Sequence, residues 1–279
     1  MELRPFGVTR RPVPVVGQGT WYIDRANAAD AIATLRHGLD LGMTHIDTAE
    51  MYGDAEPLLG SAIEGRREQL FLVDKVLPQN ASHEKTVRAC QRSLERLGTD
   101  SLDCYLLHWR GSYPLRETFA AFEELRKADT ILAWGVSNFD ERDLEEAWLA
   151  GGRGRLACNQ VLYHLKERAI EHAVIPWCIK HEVAVVAYSP YGHDDFPGPE
   201  SASGRVLQEI ADAHAATPRQ VALAFLLRWP NLFVIPKASS LRHAEENAGA
   251  GDLRLMPAEL QRIDRAFPRG AKPRTLPML

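Results

Sequence analysis

Short apolar runs alternate with amphipathic stretches along the whole chain, and this alternation limits the possible folds more than any other feature of the sequence. Eight of the runs, interpreted as strands, end near residues 19–21, 47, 75, 107, 136, 160, 187 and 235. Strands that alternate with helices are typical of βα units built around a parallel sheet. Eight such units predict an α/β protein whose strands close into a (β/α)₈ TIM barrel.

The stretches between the strands carry the start and stop signals of helices. One apolar stripe at helical spacing ends at Gly42 and another ends at Gly98, and glycine commonly ends helices in this way. The run Thr217-Pro218-Arg219-Gln220 is typical of a helix start, with an N-cap threonine, a first-turn proline and a capping-box glutamine. These signals favour helices in the connecting segments.

Further segments add to the plain barrel. Helices over 203–215 and 218–229 would both lie between the last two strands, and a helix near 257–266 would follow the eighth unit. The N-terminal segment 6–15 fits a small hairpin that covers the lower mouth of the barrel. No linker, charge block or low-complexity tract interrupts the chain. We therefore expect residues 1–279 to form a single barrel domain with an N-terminal hairpin and extra helices.

The composition argues against several classes of partner. Of 279 residues, 45% are hydrophobic and 25% are charged, and the net charge of −4 gives no basic excess that favours nucleic acid or an anionic membrane. The four cysteines stand far apart without a CxxC pair, which favours free thiols in a reducing compartment. No apolar run approaches membrane-spanning length. We expect a monomer in the cytoplasm that binds neither nucleic acid nor membrane.

Polar or aromatic residues recur where the predicted strands end. They are Trp21, Asp47, Lys75, His108, Ser137, Asn138, Gln160, Tyr188, Ser189 and Lys237. Any one of them has an ordinary explanation, since an aspartate after a strand often caps a helix and a lone lysine is usually solvated. In a barrel, however, the C-terminal ends of the strands meet in one mouth, where barrel enzymes carry their active sites. Convergence on that mouth favours a functional site.

Seven segments resemble the motifs of the aldo-keto reductases. Residues 42–53 (GMTHIDTAEMYG) resemble the first signature of that family, 71–76 (FLVDKV) the segment with its catalytic lysine, and 102–109 (LDCYLLHW) the segment with its histidine. The remaining four segments are 135–139, 159–161, 187–190 and 235–239. Because the seven follow the family's order and span nearly the whole chain, the resemblance is specific.

The resemblance implies a catalytic set of Asp47, Tyr52, Lys75 and His108. Tyr52 would give a proton to the oxygen of a substrate carbonyl while a nicotinamide gives a hydride to its carbon. Free tyrosine has a pKa of about 10. The ammonium of Lys75, held by Asp47, is expected to lower the pKa of Tyr52 because it favours the phenolate. His108 would orient the carbonyl and stabilise charge on its oxygen.

The resemblance also implies NADPH as the cofactor. The residues expected to contact it are Thr20, Ser137, Asn138, Gln160, Tyr188, Ser189, Lys237, Ser239, His243, Glu246 and Asn247. The polar groups of Ser137, Asn138 and Gln160 would hold the carboxamide. The ring of Tyr188 would stack on the nicotinamide, and Ser189 would meet the pyrophosphate. No GxGxxG motif follows a strand, so we do not expect a Rossmann site.

The adenosine end departs from the family pattern. Lys237 and Ser239 resemble the family's clamp on the 2′-phosphate of NADPH, and Glu246 and Asn247 match the positions beside the adenine. Family members often carry an arginine six residues after that lysine, where this chain has His243. Lys237 still favours NADPH, whereas the loss of the arginine favours some use of NADH as well.

Several neighbouring residues are also unusual or ambiguous. Arg242 precedes the histidine, and Tyr191 stands where a leucine is usual in the family. Asp195 occupies the position of an acid that in some relatives pairs with the clamp lysine over the cofactor. Ser137 and Asn138 have an alternative role as the N-cap of the helix expected near residue 140.

The expected substrate is a small carbonyl compound. Trp21 and Trp109, with Tyr52, would form an aromatic mouth. The segment after His108 and the tail after Pro268 are both short, whereas family members that recognise steroids have longer loops there. A short-looped aromatic mouth favours small aldehydes and dicarbonyls.

Two runs resemble one subgroup in particular. Residues 17–22 (GQGTWY) and 159–165 (NQVLYHL) look most like the bacterial methylglyoxal reductases and the related 2,5-diketogluconate reductases of this family. The resemblance therefore implies NADPH-dependent reduction of small aldehydes and ketones, such as methylglyoxal, to alcohols.

Two other functions remain as alternatives. A metal-dependent barrel hydrolase could use His45 and Asp47, which stand two apart on one strand, together with His108. Lys75 argues against it because an ammonium does not bind a metal cation, so we expect no metal. A nucleotide-sensing or partner-binding protein on the same fold is the second alternative. The complete set of four catalytic residues argues against that one.

Overall fold

A computed structural model describes all 279 residues and contains the predicted barrel. The parallel strands are β3 (Gln18–Gly19), β4 (His45–Asp47), β5 (Phe71–Val76), β6 (Leu102–Leu107), β7 (Ile131–Ser137), β8 (Leu156–Leu162), β9 (Ala184–Tyr188) and β10 (Leu232–Val234). They pair side by side in chain order. A parallel bridge between Val16 and Val234 joins the first strand to the last and closes the ring.

Ten helices surround or flank the strands. They are α1 (Ala28–Asp40), α2 (Ala55–Ile63), α3 (His83–Leu97), α4 (Leu115–Lys127), α5 (Glu141–Ala150), α6 (Val174–Lys180), α7 (Ala202–Ala213), α8 (Pro218–Leu226), α9 (Leu241–Gly249) and α10 (Pro257–Ala266). Both predicted extra helices, α7 and α8, lie between β9 and β10, and α10 follows the eighth unit. These predictions are confirmed.

The helix ends follow the sequence signals closely. Gly98 ends α3 in the left-handed conformation with a φ of 63°, and Thr217 and Gln220 form the predicted capping box of α8. The predicted end of α8 at residue 229 is wrong, because the helix stops at Leu226. Pro230 follows closely, and a proline disfavours helical backbone in the residue before it.

The N-terminal hairpin closes the lower mouth of the barrel, as predicted, but its bounds differ. Its strands are β1 (Leu3–Pro5) and β2 (Pro12–Pro14), so the first strand precedes the predicted segment 6–15. Phe6, at the turn, is fully buried, and its ring lies 4.5 Å from that of Phe71 and 5.0 Å from that of Phe233. This contact seals the bottom of the barrel with aromatic side chains.

The interior of the barrel changes character from bottom to top. Small and apolar side chains fill the lower half, including the buried free thiols of Cys104 and Cys158. Near the C-terminal ends of the strands the buried side chains are instead polar, with Asp47, Lys75 and Gln160 all shielded from solvent. These three polar side chains therefore gather at the upper mouth of the barrel. No helix has the length and apolar character needed to cross a membrane.

Candidate active site

Lys75, at the end of β5, is the centre of the polar cluster. Its Nζ lies 2.5 Å from Oδ1 of Asp47, 2.8 Å from the carbonyl oxygen of Thr48 and 3.2 Å from the hydroxyl oxygen of Tyr52. A lysine ammonium has three N–H donors, and these three acceptors use them all. The side chain is fully buried, so Lys75 holds Tyr52 and Asp47 in one fixed arrangement.

Asp47, at the end of β4, is held from several sides. Its second carboxylate oxygen accepts a hydrogen bond of 2.6 Å from the amide of Gln160. Its backbone carbonyl accepts from both the hydroxyl and the backbone N–H of Thr20, at 2.9 and 3.1 Å. Thr20 and Gln160 were predicted to contact a cofactor. Both line cavities at this mouth, and both also fix Asp47.

Burial controls the protonation of this cluster. Burial alone would lower the pKa of Lys75, but the charge of Asp47 outweighs it and the pKa is raised. Burial raises the pKa of Tyr52, and the opposing effect of Lys75 is smaller. The predicted lowering of the pKa of Tyr52 is therefore wrong for this site, because removal from water disfavours the phenolate. Tyr52 keeps its proton at neutral pH.

His108, which follows β6, faces Tyr52. The two ring centroids are 5.7 Å apart with the planes nearly perpendicular. Burial, and then the charge of Lys75, lower the pKa of His108 to about 2. The imidazole is consequently neutral at physiological pH and carries one N–H donor.

A small cavity of about 210 Å³ opens beside these two residues. The predicted aromatic residues Trp21 and Trp109 line it, together with Met51, Met278 and Leu279. None of these last three was predicted as a site residue. Met278 and Leu279 belong to a tail whose return to the mouth, over such a sequence separation, leaves no local signal, and Met51 was identified only as part of the motif at 42–53. Even this short tail therefore forms part of the pocket wall.

Asn138, just after β7, connects the cavity to the cofactor side. Its amide nitrogen donates to the carbonyl oxygen of His108 at 3.2 Å and to Oγ of Ser137 at 3.3 Å. Its amide oxygen accepts from the hydroxyl of Tyr188 at 2.9 Å. The alternative role as a helix cap is wrong, since Asp140 caps α5 with its own carboxylate. Ser137, Asn138 and Tyr188 are thus joined in one hydrogen-bonded network at the mouth.

A longer cleft of about 540 Å³ runs from Tyr52 along the mouth to α9. Its lining contains most of the predicted cofactor residues, namely Thr20, Tyr188, Ser189, Lys237, Ser239, His243, Glu246 and Asn247. Oγ of Ser239 lies 3.0 Å from Nδ1 of His243. The structure therefore brings together residues from both ends of the chain in one elongated groove.

Other residues of the cleft depart from the sequence analysis. Asp195 contacts Lys166, with 3.7 Å between carboxylate and ammonium, and not the clamp lysine. Arg242 is exposed and does not line the cleft. Arg25, His193 and Arg219 do line it and were missed as site residues. The sequence predicted Arg219 only as part of a helix start, because the neighbouring residues do not indicate that its side chain faces the cleft.

The side chains of the alternative metal site do not converge. His45 lies among the aromatic rings at the bottom of the barrel, with ring centroids 5.7 Å from Phe6 and 5.5 Å from Phe71. Both carboxylate oxygens of Asp47 are already engaged by Lys75 and Gln160. No group of three or more histidine, cysteine or acidic side chains is arranged to hold a metal ion.

Known proteins share both the sequence pattern and this fold. Residues 15–267 match the model of the aldo/keto reductase family. The chain is 45% identical over 260 residues to methylglyoxal reductase YeaE of Escherichia coli (strain K12), covering 92% of each chain. An aldo/keto reductase from Klebsiella pneumoniae in complex with NADP and acetate superposes with a TM-score of 0.93 at 41% identity, over 100% of each chain. A structure of an aldo-keto reductase from the same organism with NADPH gives a TM-score of 0.93 at 42% identity, over 100% of this chain and 99% of the other. The chain belongs to the aldo/keto reductase family.

Proposed function

We propose that this chain uses NADPH to reduce small aldehydes and ketones to alcohols, with Tyr52 as the proton donor. The observation that carries the proposal is the position of the Tyr52 hydroxyl, 3.2 Å from the buried ammonium of Lys75 and on the lining of both cavities. The Escherichia coli relative is a methylglyoxal reductase, and the Klebsiella pneumoniae structures hold NADP or NADPH.

The long cleft fits an extended dinucleotide. Its adenosine end would lie at Lys237 and Ser239, whose ammonium and hydroxyl suit a 2′-phosphate. Its nicotinamide end would lie near Tyr188 and Asn138, with Ser189 between the two ends. When bound, NADPH supplies the hydride that the carbonyl carbon receives. NADH would bind in the same cleft without the phosphate contact, and therefore more weakly.

The residues of the chain handle the proton. A carbonyl oxygen in the small cavity would accept hydrogen bonds from the Tyr52 hydroxyl and from the neutral imidazole of His108. As the carbon gains a hydride, the oxygen gains negative charge and takes the proton of Tyr52, so the carbonyl becomes an alcohol. Lys75 stabilises the phenolate that remains, and Asp47 keeps Lys75 charged and in place.

A compact substrate fits the cavity better than a large one. A volume of about 210 Å³ lined by Trp21, Trp109 and Met278 admits a few heavy atoms beside the reacting carbonyl. We propose methylglyoxal and similar small aldehydes as substrates. The monomeric state and the location in the cytoplasm stay predictions of the sequence.

The test is NADPH oxidation that depends on added aldehyde. We expect methylglyoxal to give a higher kcat/KM than a steroid ketone in parallel assays with the same enzyme preparation. Faster turnover of the steroid would contradict the small-cavity argument. Tight NADPH binding without turnover of any carbonyl would instead favour the alternative of a nucleotide-sensing protein.

A further inference from the structure

The adenosine end of the cleft contains one unexplained cation. His243 stands where an arginine is common in the family, and Arg242, the nearest replacement in sequence, is exposed outside the cleft. On the wall formed by the loop after β10 and by α9, Lys237 is therefore the only lysine or arginine of the cleft. Arg219 lines the same cleft from a different helix, α8.

The guanidinium of Arg219 is held in place by aromatic side chains. Its Cζ lies 4.9 Å from the ring centroid of Tyr191 and 4.6 Å from that of Phe196. Arg219 makes neither a salt bridge nor a side-chain hydrogen bond with the rest of the chain, and it is exposed to solvent. Stacking on rings orients the plane of a guanidinium and leaves its N–H donors free for an anion.

Two hydrogen bonds join this arginine's surroundings to α9. The hydroxyl of Tyr191 donates to Oδ1 of Asn247 at 2.6 Å, and the hydroxyl of Thr217 donates to the carboxylate of Glu246 at 2.6 Å. Tyr191 stands at the position where leucine is usual, so a residue that departs from the pattern connects Arg219 to the adenosine wall. These contacts set Arg219 beside the adenosine end of the cleft.

We propose that Arg219 binds the 2′-phosphate of NADPH together with Lys237 and supplies the guanidinium that position 243 lacks. A phosphate monoester carries a charge of about −1.5 to −2 at pH 7, which two unpaired cations match. A guanidinium also presents two parallel N–H donors to phosphate oxygens. Glu246, an acid of α9 that also lines the cleft, accepts a hydrogen bond from Thr217 and forms no salt bridge with Arg219. The inference rests on the proposed position of the adenosine phosphate at Lys237.

The test compares NADPH with NADH in fluorescence titrations without substrate. We expect Arg219→Ala to raise the Kd for NADPH by about 10- to 150-fold, the range of a charge-assisted hydrogen bond, and the Kd for NADH by less than about threefold. Arg219→Lys keeps the positive charge but loses the two parallel N–H donors of the guanidinium. Its Kd for NADPH should therefore lie between those of the parent and of Arg219→Ala. Arg242→Ala, which removes the same charge outside the cleft, should bind both cofactors like the parent.

Displacement by fragments locates the contact. Arg219→Ala should weaken adenosine 2′,5′-bisphosphate far more than adenosine 5′-monophosphate, and thermal unfolding should report an unchanged fold. Equal losses for NADPH and NADH would overturn the proposal and assign Arg219 to the adenine or the pyrophosphate, and unchanged binding of both would also overturn it. Because these titrations need no turnover, a parent that bound NADPH but reduced no carbonyl would disprove the proposed reaction and leave this inference intact.

Discussion

The two ends of the cleft are built in opposite ways. At the catalytic end, Lys75 and Asp47 are buried and every donor of the lysine has a partner within the chain. At the proposed adenosine end, Lys237 and Arg219 are exposed and neither has a charged partner. The first arrangement is complete within the chain, whereas the second would be completed by the cofactor phosphate that we propose there.

The difference follows from where each charge lies. A buried charge without a partner is strongly destabilising, so the catalytic end must satisfy its own groups. An exposed cation is solvated by water, and leaving it unpaired costs the fold little. The adenosine end can therefore keep its positive charge free for a phosphate. Substitutions at the catalytic end should accordingly affect turnover and stability, whereas those at the adenosine end should affect cofactor affinity.

The largest effect is expected from Tyr52→Phe. The variant should bind NADPH like the parent but lose about 10²- to 10⁴-fold in kcat, because the proton donor is gone while the ring and its packing remain. Steady-state kinetics and a cofactor titration on the same preparation check both parts. Reduction of aldehydes at the parent rate would remove Tyr52 from the mechanism.

Next in size is the effect of Lys75→Met on stability. This change leaves the carboxylate of Asp47 buried without its cation, and the free energy of unfolding should fall by about 3–5 kcal/mol in denaturant titrations. Asp47→Asn in the same chain should restore much of the stability but none of the activity. Lys237→Met is the matched change at the adenosine end, and it should alter the free energy of unfolding by less than about 0.5 kcal/mol. Equal destabilisation by the two lysine variants would contradict the comparison.

Lys237→Ala should act on affinity alone. Loss of one charge-assisted phosphate contact is expected to raise the Kd for NADPH by about 10- to 150-fold and to leave NADH nearly unchanged. With saturating NADPH, kcat should match that of the parent, because Lys237 takes no part in the hydrogen bonds that join Lys75, Asp47 and Tyr52. A fall in kcat under saturation would show that the two ends are coupled.

The smallest expected effect is that of pH on reduction. His108 has a pKa of about 2 and is neutral at any higher pH, and the raised pKa of Tyr52 keeps it protonated through the neutral range. The kcat/KM for aldehyde reduction should therefore be flat between about pH 6 and 9, away from the usual histidine value. Alcohol oxidation needs the phenolate and should rise with pH. A change in kcat/KM for reduction near pH 6.5 would contradict this prediction and show that His108 titrates there.

The sequence predicted that the residues proposed for catalysis would converge, because they sit in local motifs at strand ends. Asp47, Lys75 and His108 each end or follow an apolar run, and the barrel order then brings them together. The pKa of Tyr52 could not be predicted in the same way. Its direction depends on how much water burial removes, which only the packed structure reveals.

The adenosine end and the pocket wall were predicted less completely, because residues far apart in the sequence meet there. Arg219 reaches the cleft from a helix start, and Met278 returns to the pocket from the far end of the chain. The eight βα units imply a helix after the last strand, but the bounds of α9 were not predicted, because its sequence offers few apolar residues at helical spacing. Contacts across the mouth depend on loop paths, and no local pattern encodes them.

The hydrogen bonds that use all three donors of Lys75 also affect how the protein reacts with aldehydes. A lysine condenses with an aldehyde to form an imine only as the neutral amine, and Lys75 keeps its proton and commits all three hydrogens to neighbouring oxygens. Reactive dicarbonyls of the kind that we propose as substrates would therefore spare the amine of Lys75, even when bound in the adjoining cavity. Lys237 and Arg219 are exposed, and no hydrogen bonds within the chain protect their side chains in this way. Modification of the protein by such compounds would therefore weaken cofactor binding first, while the residues around Lys75 stay unmodified.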